Sequence, residues 1–166
     1  MNVVATALLA GAVIVGAGCG GDDAGTENSF VADIRPAIAA VEAVLGPGQE
    51  FFEITATSRL TNLFVAVDEA TAAVPYVYLD DELQPPAPPL TGASGFTFSA
   101  DAVDFDEEAI LADVEAELPR STIDALSIEG GRGGAVRYVV SARSAAGGRL
   151  DVTVAPDGAV LEVDPV

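Results

Sequence analysis

The sequence predicts an α+β fold: two repeats of one helix followed by an antiparallel β-meander, preceded by a signal or anchor segment. Three observations predict it. Residues 134–164 alternate apolar and polar side chains between two turns, the chain aligns with itself when Phe30 is set on Phe105, and residues 3–21 carry no charge. The first observation predicts the sheet, the second its duplication and the third an exported chain.

The uncharged N-terminal run contains Cys19, the only cysteine of the chain. Residues 16–18 before it are all small (Gly-Ala-Gly), which resembles a lipobox, where a signal peptidase cuts before a cysteine that is then diacylated. The resemblance predicts a lipoprotein signal peptide over 1–18, lipidation of Cys19 and a flexible tether over 19–28. An uncleaved anchor and a plain cleaved signal are the alternatives. All three place the folded part outside the cytoplasm.

The first repeat is predicted over residues 29–83. Apolar residues at helical spacing predict a helix that ends at Gly46-Pro47-Gly48, and three strands follow it over 50–58, 63–67 and 76–79. The helix residues expected to share one apolar stripe are Phe30, Ile34, Ile38, Val41, Val44 and Leu45.

A Pro-rich stretch over residues 84–95 is predicted as the linker, because proline lacks a donor N–H and keeps the chain stiff and extended. The second repeat is predicted over 96–166. Its helix, over 105–118, begins in an acidic run, where the free amides of a first helical turn favour negative charge. The strands that follow are predicted over 123–129, 136–143, 149–154 and 160–163.

Strand, turn, strand and turn follow one another in the second repeat over Tyr138-Val139-Val140, Gly148-Arg149, Val152-Thr153-Val154 and Asp157-Gly158-Ala159-Val160-Leu161. These stretches resemble the C-terminal half of a PepSY-type repeat, and the tandem order of helix and meander is similar to β-lactamase-inhibitor-like proteins. The resemblance implies an extracytoplasmic lipoprotein that binds or restrains other proteins. It supplies no binding residue.

The charge of the chain is lopsided, with 26 acidic residues against 7 arginines and a formal net charge of -19. A field of this sign repels phosphate backbones, which excludes a nucleic-acid partner, and it attracts a partner with a basic face. Because the chain has no His and no Lys, it cannot build a Ser-His-Asp triad, an imidazole metal site, a Schiff base or a P-loop. We therefore predict no catalytic residue and no cofactor.

Two stretches contain residues that could bind an ion. Five carboxylates between Asp101 and Glu108 could hold calcium, but capping of the helix accounts for the run. The stretch 130–134 (Gly-Gly-Arg-Gly-Gly) could cradle an anion, but its place between two predicted strands favours a hairpin tip. No metal site is predicted.

Taken together, these features predict an exported, lipid-anchored, non-enzymatic lipoprotein that binds a protein or peptide, with the membrane as a second partner through its lipid. The binding surface is expected on the sheet face away from the helices, which is mixed and rather polar: Thr55, Thr57, Arg137, Val139, Ser141, Arg143 and Thr153. The alternative is a carrier or sensor of a small apolar ligand or lipid held between helix and sheet. An enzyme using carboxylates alone and a purely architectural role are the remaining hypotheses.

Overall fold

A computed structural model describes residues 29–166, in which ten strands form one sheet beneath a helical layer. The predicted signal peptide, the predicted tether and Cys19 lie outside the described residues. The helices are α1 (Ile34–Leu45) and α2 (Ala112–Glu117), and the strands are β1 (Glu50–Thr57), β2 (Thr61–Val67), β3 (Ala72–Leu79), β4 (Glu82–Leu83), β5 (Leu90–Thr91), β6 (Phe98–Ser99), β7 (Ser121–Gly130), β8 (Val136–Ser144), β9 (Arg149–Val154) and β10 (Val160–Pro165).

The strands are ordered β10-β9-β8-β7-β1-β2-β3-β4, and neighbouring strands are antiparallel. The short strand β5 also pairs with β3, and β6 pairs with β1. β1 and β7 lie at the centre and pair from Glu53 opposite Glu129 to Thr57 opposite Ala125. This central pair joins strands from the two halves of the chain into a single sheet.

The predicted fold class is wrong, because the described residues do not form two repeats of helix plus meander. They are mostly antiparallel sheet with one full helix, α1. The second helix, predicted over 105–118, is reduced to the six residues of α2, and turns occupy residues 107–111 before it. The strands of both meanders also belong to one sheet. In two separate sheets, β1 and β7 would each be an edge strand with unpaired N–H and C=O groups.

Tertiary contacts and tight turns replace the first part of the second helix. The carbonyl of Ala109 accepts the N–H of Ala112 at 2.9 Å, only three residues on, as in a turn. The connection between β9 and β10 packs against this carbonyl through Gly158, and its Pro156 carbonyl accepts the N–H of Asp106 at 2.9 Å. Packing against that connection therefore overrides the helical periodicity of the segment before α2.

The core lies between α1 and one face of the sheet. α1 ends at Leu45 as predicted, where the N–H of Gly46 donates to the carbonyl of Glu42 at 2.8 Å. Its buried residues are Ile34, Ala37, Ile38 and Val41. They belong to one core with a row of buried residues that crosses six strands: Tyr76, Leu63, Ile54, Ile128, Tyr138 and Val154. Buried residues between Val103 and Val114 belong to the same core. Val44 and Leu45, expected on the same stripe, lie exposed in the last turn.

Tyr138 fastens the segment before α2 to the sheet. Its hydroxyl donates to the carbonyl of Asp104 at 2.9 Å, and its ring meets the ring of Phe105 edge-on with centroids 5.6 Å apart. Burial raises the pKa of Tyr138, so the hydroxyl keeps the proton that it donates. Arg35 of α1 packs against the same Phe105 ring, with its guanidinium 5.3 Å from the ring centroid.

The Pro-rich stretch lies along the outer edge of β3. β4 and β5 pair with the two ends of β3, and between them the N–H groups of Gln84 and Ala87 donate to the carbonyls of Val77 and Pro75. The hydrogen bonds come from the residues that are not proline. The stretch predicted as a linker thus forms the outermost row of the sheet on this side.

Gly158, in the turn between β9 and β10, touches the segment before α2. It has φ +91°, and a Cβ built on it would lie 2.2 Å from the carbonyl oxygen of Ala109. Real Cβ atoms do not approach so closely, so only glycine lets this turn pack against the helical layer.

Replacing Gly158 by Ala tests this contact, and Gly148 supplies the matched control. Gly148 has φ +90°, yet a Cβ there meets nothing within 4 Å. Gly148→Ala should therefore lower the free energy of unfolding by about 1 kcal/mol, the cost of the left-handed backbone alone. Gly158→Ala should lower it by about 2 kcal/mol more, because it adds a clash. Urea unfolding measures both, and equal losses would contradict the close contact.

Candidate functional site

The candidate functional site is the face of the sheet opposite α1, called the open face below. The register confirms that the seven residues predicted for it share this face. Thr55, Val139 and Thr153 belong to one row across the sheet, while Thr57 and Ser141 both lie opposite Ala125 in the next row. Arg137 and Arg143 lie on the same face, because side chains two residues apart along β8 lie on the same side of the sheet.

A short chain of hydroxyl groups holds Glu53 at the centre of the open face. The Thr55 hydroxyl donates to Oε1 of Glu53 at 2.5 Å, and it lies 3.0 Å from the hydroxyl of Ser127 on β7. Because the one proton of Thr55 goes to the carboxylate, Ser127 must donate the second bond. The chain therefore orients the carboxylate of Glu53 from across the central pair of strands.

Two carboxylates face each other at this centre, since Glu53 lies directly opposite Glu129. Arg137 on β8 forms an ion pair with Glu129. Within residues 29–166 no arginine lies at ion-pair distance from Glu53. The centre thus carries two carboxylates and one guanidinium, which leaves one negative charge without a counter-charge.

Phe64 is an aromatic side chain of the open face: it lies directly opposite Glu53 on β2 and is half-buried. Phe52 precedes Glu53 at a β-bulge, and the loop before β6 passes this bulge, since a Cβ on Gly95 would lie 3.9 Å from the Phe52 ring. That loop crosses β7 on its core side, because a Cβ on Gly130 would lie 2.1 Å from the carbonyl oxygen of Phe96 and Gly130 pairs with the core-packed Val136. Phe64 is therefore the phenyl ring that lies beside the carboxylate of Glu53.

Sequence reasoning missed Phe64, although a signal was present. Residues 63–67 are all apolar, and a strand without alternation places apolar side chains on both of its faces. Leu63 and Val65 take the core face, which leaves Phe64 on the open face. The partners Ser127 and Glu129 carried no comparable signal, because their role depends on pairing with β1.

A second charged group lies nearer the β8–β9 hairpin. Both Nε and Nη2 of Arg143 donate to the carboxylate of Asp124, at distances between 2.7 and 2.9 Å. These bonds hold the pKa of Asp124 below its usual range, and the charge of Arg149 acts in the same direction. Arg149 lies directly opposite Arg143. Asp124 thus offsets the repulsion between two neighbouring guanidinium groups.

The two stretches with ion-binding chemistry have structural partners. In the acidic run, Oδ1 of Asp106 accepts the N–H groups of Glu108 and Ala109 at 3.0 and 3.1 Å, and Glu107 pairs with Arg35 at 3.0 Å. No group of three or more His, Cys, Asp or Glu side chains in the described part of the chain could hold a metal ion. The glycine-rich stretch connects β7 to β8, as the hairpin-tip prediction expected.

An open groove of about 440 Å³ lies where the end of α2 meets the β8–β9 hairpin. It lies away from α1, whereas the carrier hypothesis expects an apolar space between helix and sheet. Its lining mixes charged, polar and apolar side chains: Glu117, Leu118, Pro119, Arg120, Ser121, Ser144, Ala145, Ala146 and Leu150.

No protein-family model matches the chain, and neither a curated protein nor a solved structure matches it. The resemblance to PepSY-type repeats therefore stays a prediction. From residue 29 onward, neither helix has the length and apolar character needed to span a bilayer. The function has to be inferred from the chemistry of the open face itself.

The Arg143–Asp124 pair predicts how the free energy of unfolding depends on pH. Because the pKa of Asp124 is lowered in the folded protein, the pair stabilises the fold above the unfolded-state pKa of about 3.9. That stabilisation is lost as the pH falls through the lower, folded-state pKa. Arg143→Gln should therefore reduce the free energy of unfolding at pH 6, and the reduction should shrink towards pH 2.

Urea unfolding across this pH range measures the effect. Arg132→Gln is the matched control, because it removes the same charge from an exposed arginine that forms no ion pair within residues 29–166. A loss that is the same at pH 6 and pH 2, or equal in the two variants, would contradict the assignment.

Proposed function

We propose that this protein is an exported, lipid-anchored and non-enzymatic lipoprotein that binds a protein or peptide on its open face. The observation that carries the proposal is the half-buried phenyl ring of Phe64 on the open face, directly opposite Glu53, a carboxylate that has no ion-pair partner within residues 29–166. Aromatic side chains are enriched at the centres of protein interfaces.

The physical case for a partner rests on the free energy gained when the partly exposed ring of Phe64 is covered. Burying apolar surface gains roughly 25 cal/mol per Å², and a partly exposed phenyl group leaves this gain to a contacting molecule. Phe64 lies in the regular strand β2, so the surface is already rigid and little order is lost on binding. The polar residues around Phe64 suit the rim of an interface.

The lipid anchor belongs to the same proposal. Cys19 follows three small residues at the end of an uncharged run, and a diacylated thiol there would hold the domain at the outer side of a membrane. A binding domain tethered in this way meets partners in the cell envelope. The membrane is then the second partner, through the lipid.

The open-face proposal predicts that Phe64→Gln weakens binding to an envelope partner by at least about tenfold, the loss of one aromatic anchor. Leu90→Gln is the control, because Leu90 is an exposed apolar residue on β5, at the edge of the sheet and away from Glu53. The full chain in mild detergent is immobilised, exposed to native envelope extract, and the retained protein is quantified.

Retention by the parent and by Leu90→Gln, together with loss in Phe64→Gln, is the expected result. Equal retention by both variants would contradict the open face as the binding surface. If the parent retains no protein and instead co-purifies a lipid or another small apolar molecule, the carrier hypothesis replaces the proposal.

The anchor predicts that Cys19→Ser abolishes incorporation of labelled fatty acid and moves the protein from the membrane fraction to the soluble fraction. The reason is that the thiol is the only sulfur nucleophile in the chain available for acylation. Metabolic labelling followed by membrane fractionation measures both effects. If Cys19→Ser stayed in the membrane, the segment would be an uncleaved anchor instead.

A further inference from the structure

We propose that residues 100–118, called the lid segment below, open from the rest of the fold as one unit while the sheet and α1 stay folded. The lid segment follows β6 and ends before Pro119, and it contributes buried residues to the same core as α1. The inference goes beyond the proposed function, because it concerns a movement on the side of the sheet opposite the open face.

The lid segment has little regular structure of its own. Its α-helix, α2, has six residues, and residues 107–111 before it form turns. A helix is marginal in water below about 12 to 15 residues, because the cost of forming its first turn is not recovered. The lid segment therefore keeps its shape only while other elements of the fold hold it.

Hydrogen bonds from the sheet hold the first part of the lid segment. The hydroxyl of Tyr138 on β8 bonds to both backbone groups of Asp104, at 3.0 and 2.9 Å. The carbonyl of Pro156, in the connection between β9 and β10, accepts the N–H of Asp106 at 2.9 Å. These bonds join the lid segment to strands that have their own pairing partners, so the strands can stay paired when the bonds break.

Arg35 of α1 acts as the latch of the lid segment. Its guanidinium donates to the carbonyl of Phe105 at 3.1 Å and to the carboxylate of Glu107 at 3.0 Å. The same group lies 5.3 Å from the centroid of the Phe105 ring, which adds a cation–π contact. One side chain thus connects the lid segment to α1 through three contacts.

The charge of the lid segment opposes its closed position. Eight of the seventeen residues over 101–117 are acidic and none is basic. Like charges held close together repel one another, and a chain with a net charge of -19 adds to this repulsion. The guanidinium of Arg35 brings positive charge to the run, so removing it should favour the open position.

Buried apolar side chains make the open position a minor one. Opening exposes to water the residues that the lid segment contributes to the core: Val103, Phe105, Ile110, Leu111 and Val114. Openings of this kind require less free energy than global unfolding, because they break the contacts of one unit alone. Lids over apolar interiors belong to this class of movement.

Hydrogen exchange of the full chain in mild detergent, read by mass spectrometry of its peptides, tests the proposal. The N–H groups of Ile110 and Leu118 are bonded within the lid segment, so their exchange reports its opening. The paired N–H groups of β1 and β7 report global unfolding. Relative to their intrinsic rates, the lid amides should exchange at least about tenfold faster than the strand amides.

Thr61→Val separates opening of the lid segment from global unfolding. Thr61 lies on β2, three places from β8 in the sheet, and its buried hydroxyl has no hydrogen-bond partner. Removing an unpaired buried hydroxyl stabilises the fold, so exchange of the strand amides should slow by about fivefold. The lid amides should change less than about twofold, because the surroundings of Thr61 stay folded when the lid segment opens.

Arg35→Gln tests the latch, and Arg132→Gln is its matched control. Arg132 carries the same charge but lies in the connection between β7 and β8 and forms no ion pair within residues 29–166. Arg35→Gln should speed exchange of the lid amides at least about fivefold, and Arg132→Gln should change it less than about twofold.

A lid segment that opens only when the whole protein unfolds gives a different pattern. Its amides would then exchange as slowly as the strand amides, and Thr61→Val would slow both sets equally. Either result would overturn the inference. An equal effect of Arg35→Gln and Arg132→Gln on the lid amides would overturn the role of Arg35 as the latch.

Discussion

The fold and the candidate site both depend on the antiparallel pairing of β1 with β7. This pairing makes the buried rows continuous, so that Ile54 lies beside Ile128 and one core serves both halves of the chain. A unit half this size would bury a smaller fraction of its surface and gain less from its apolar residues. The same pairing brings Ser127 to Thr55 and Glu129 to Glu53, so the centre of the open face forms only when the two halves join.

The local sequence pattern was enough to predict the elements that depend mainly on residues nearby in the chain. The alternation in β8 and β9 predicted their strands and the residues of the open face, and Gly46 predicted the end of α1. The prediction of the second helix was wrong because the segment before α2 packs against the connection between β9 and β10, a contact that the local sequence does not reveal. The joining of both meanders in a single sheet was not predicted for a related reason. Nothing within β1 indicates which strand will lie on its free edge.

The few arginines of this acidic chain show how its charges are distributed. Arg35 ties α1 to the segment before α2, while Arg137 and Arg143 each tie β8 to β7. Exposed pairs of this kind contribute little stability individually, with a typical value of about 0 to 1 kcal/mol. Their placement matters more than their energy, because each guanidinium neutralises a carboxylate that the fold brings close to its neighbours. Glu53 is a half-buried carboxylate that the described arginines leave without a counter-charge.

The Pro-rich row along β3 determines how this molecule can assemble with others. Four of its residues, Pro85, Pro86, Pro88 and Pro89, have no N–H to offer a further strand. At the opposite edge β10 is short and bulged, carries Glu162 and Asp164 on its exposed residues, and ends at Pro165. Edge-to-edge growth into fibres is therefore opposed at both ends of the sheet. Even when many copies are crowded together, such a sheet resists extension from one molecule to the next.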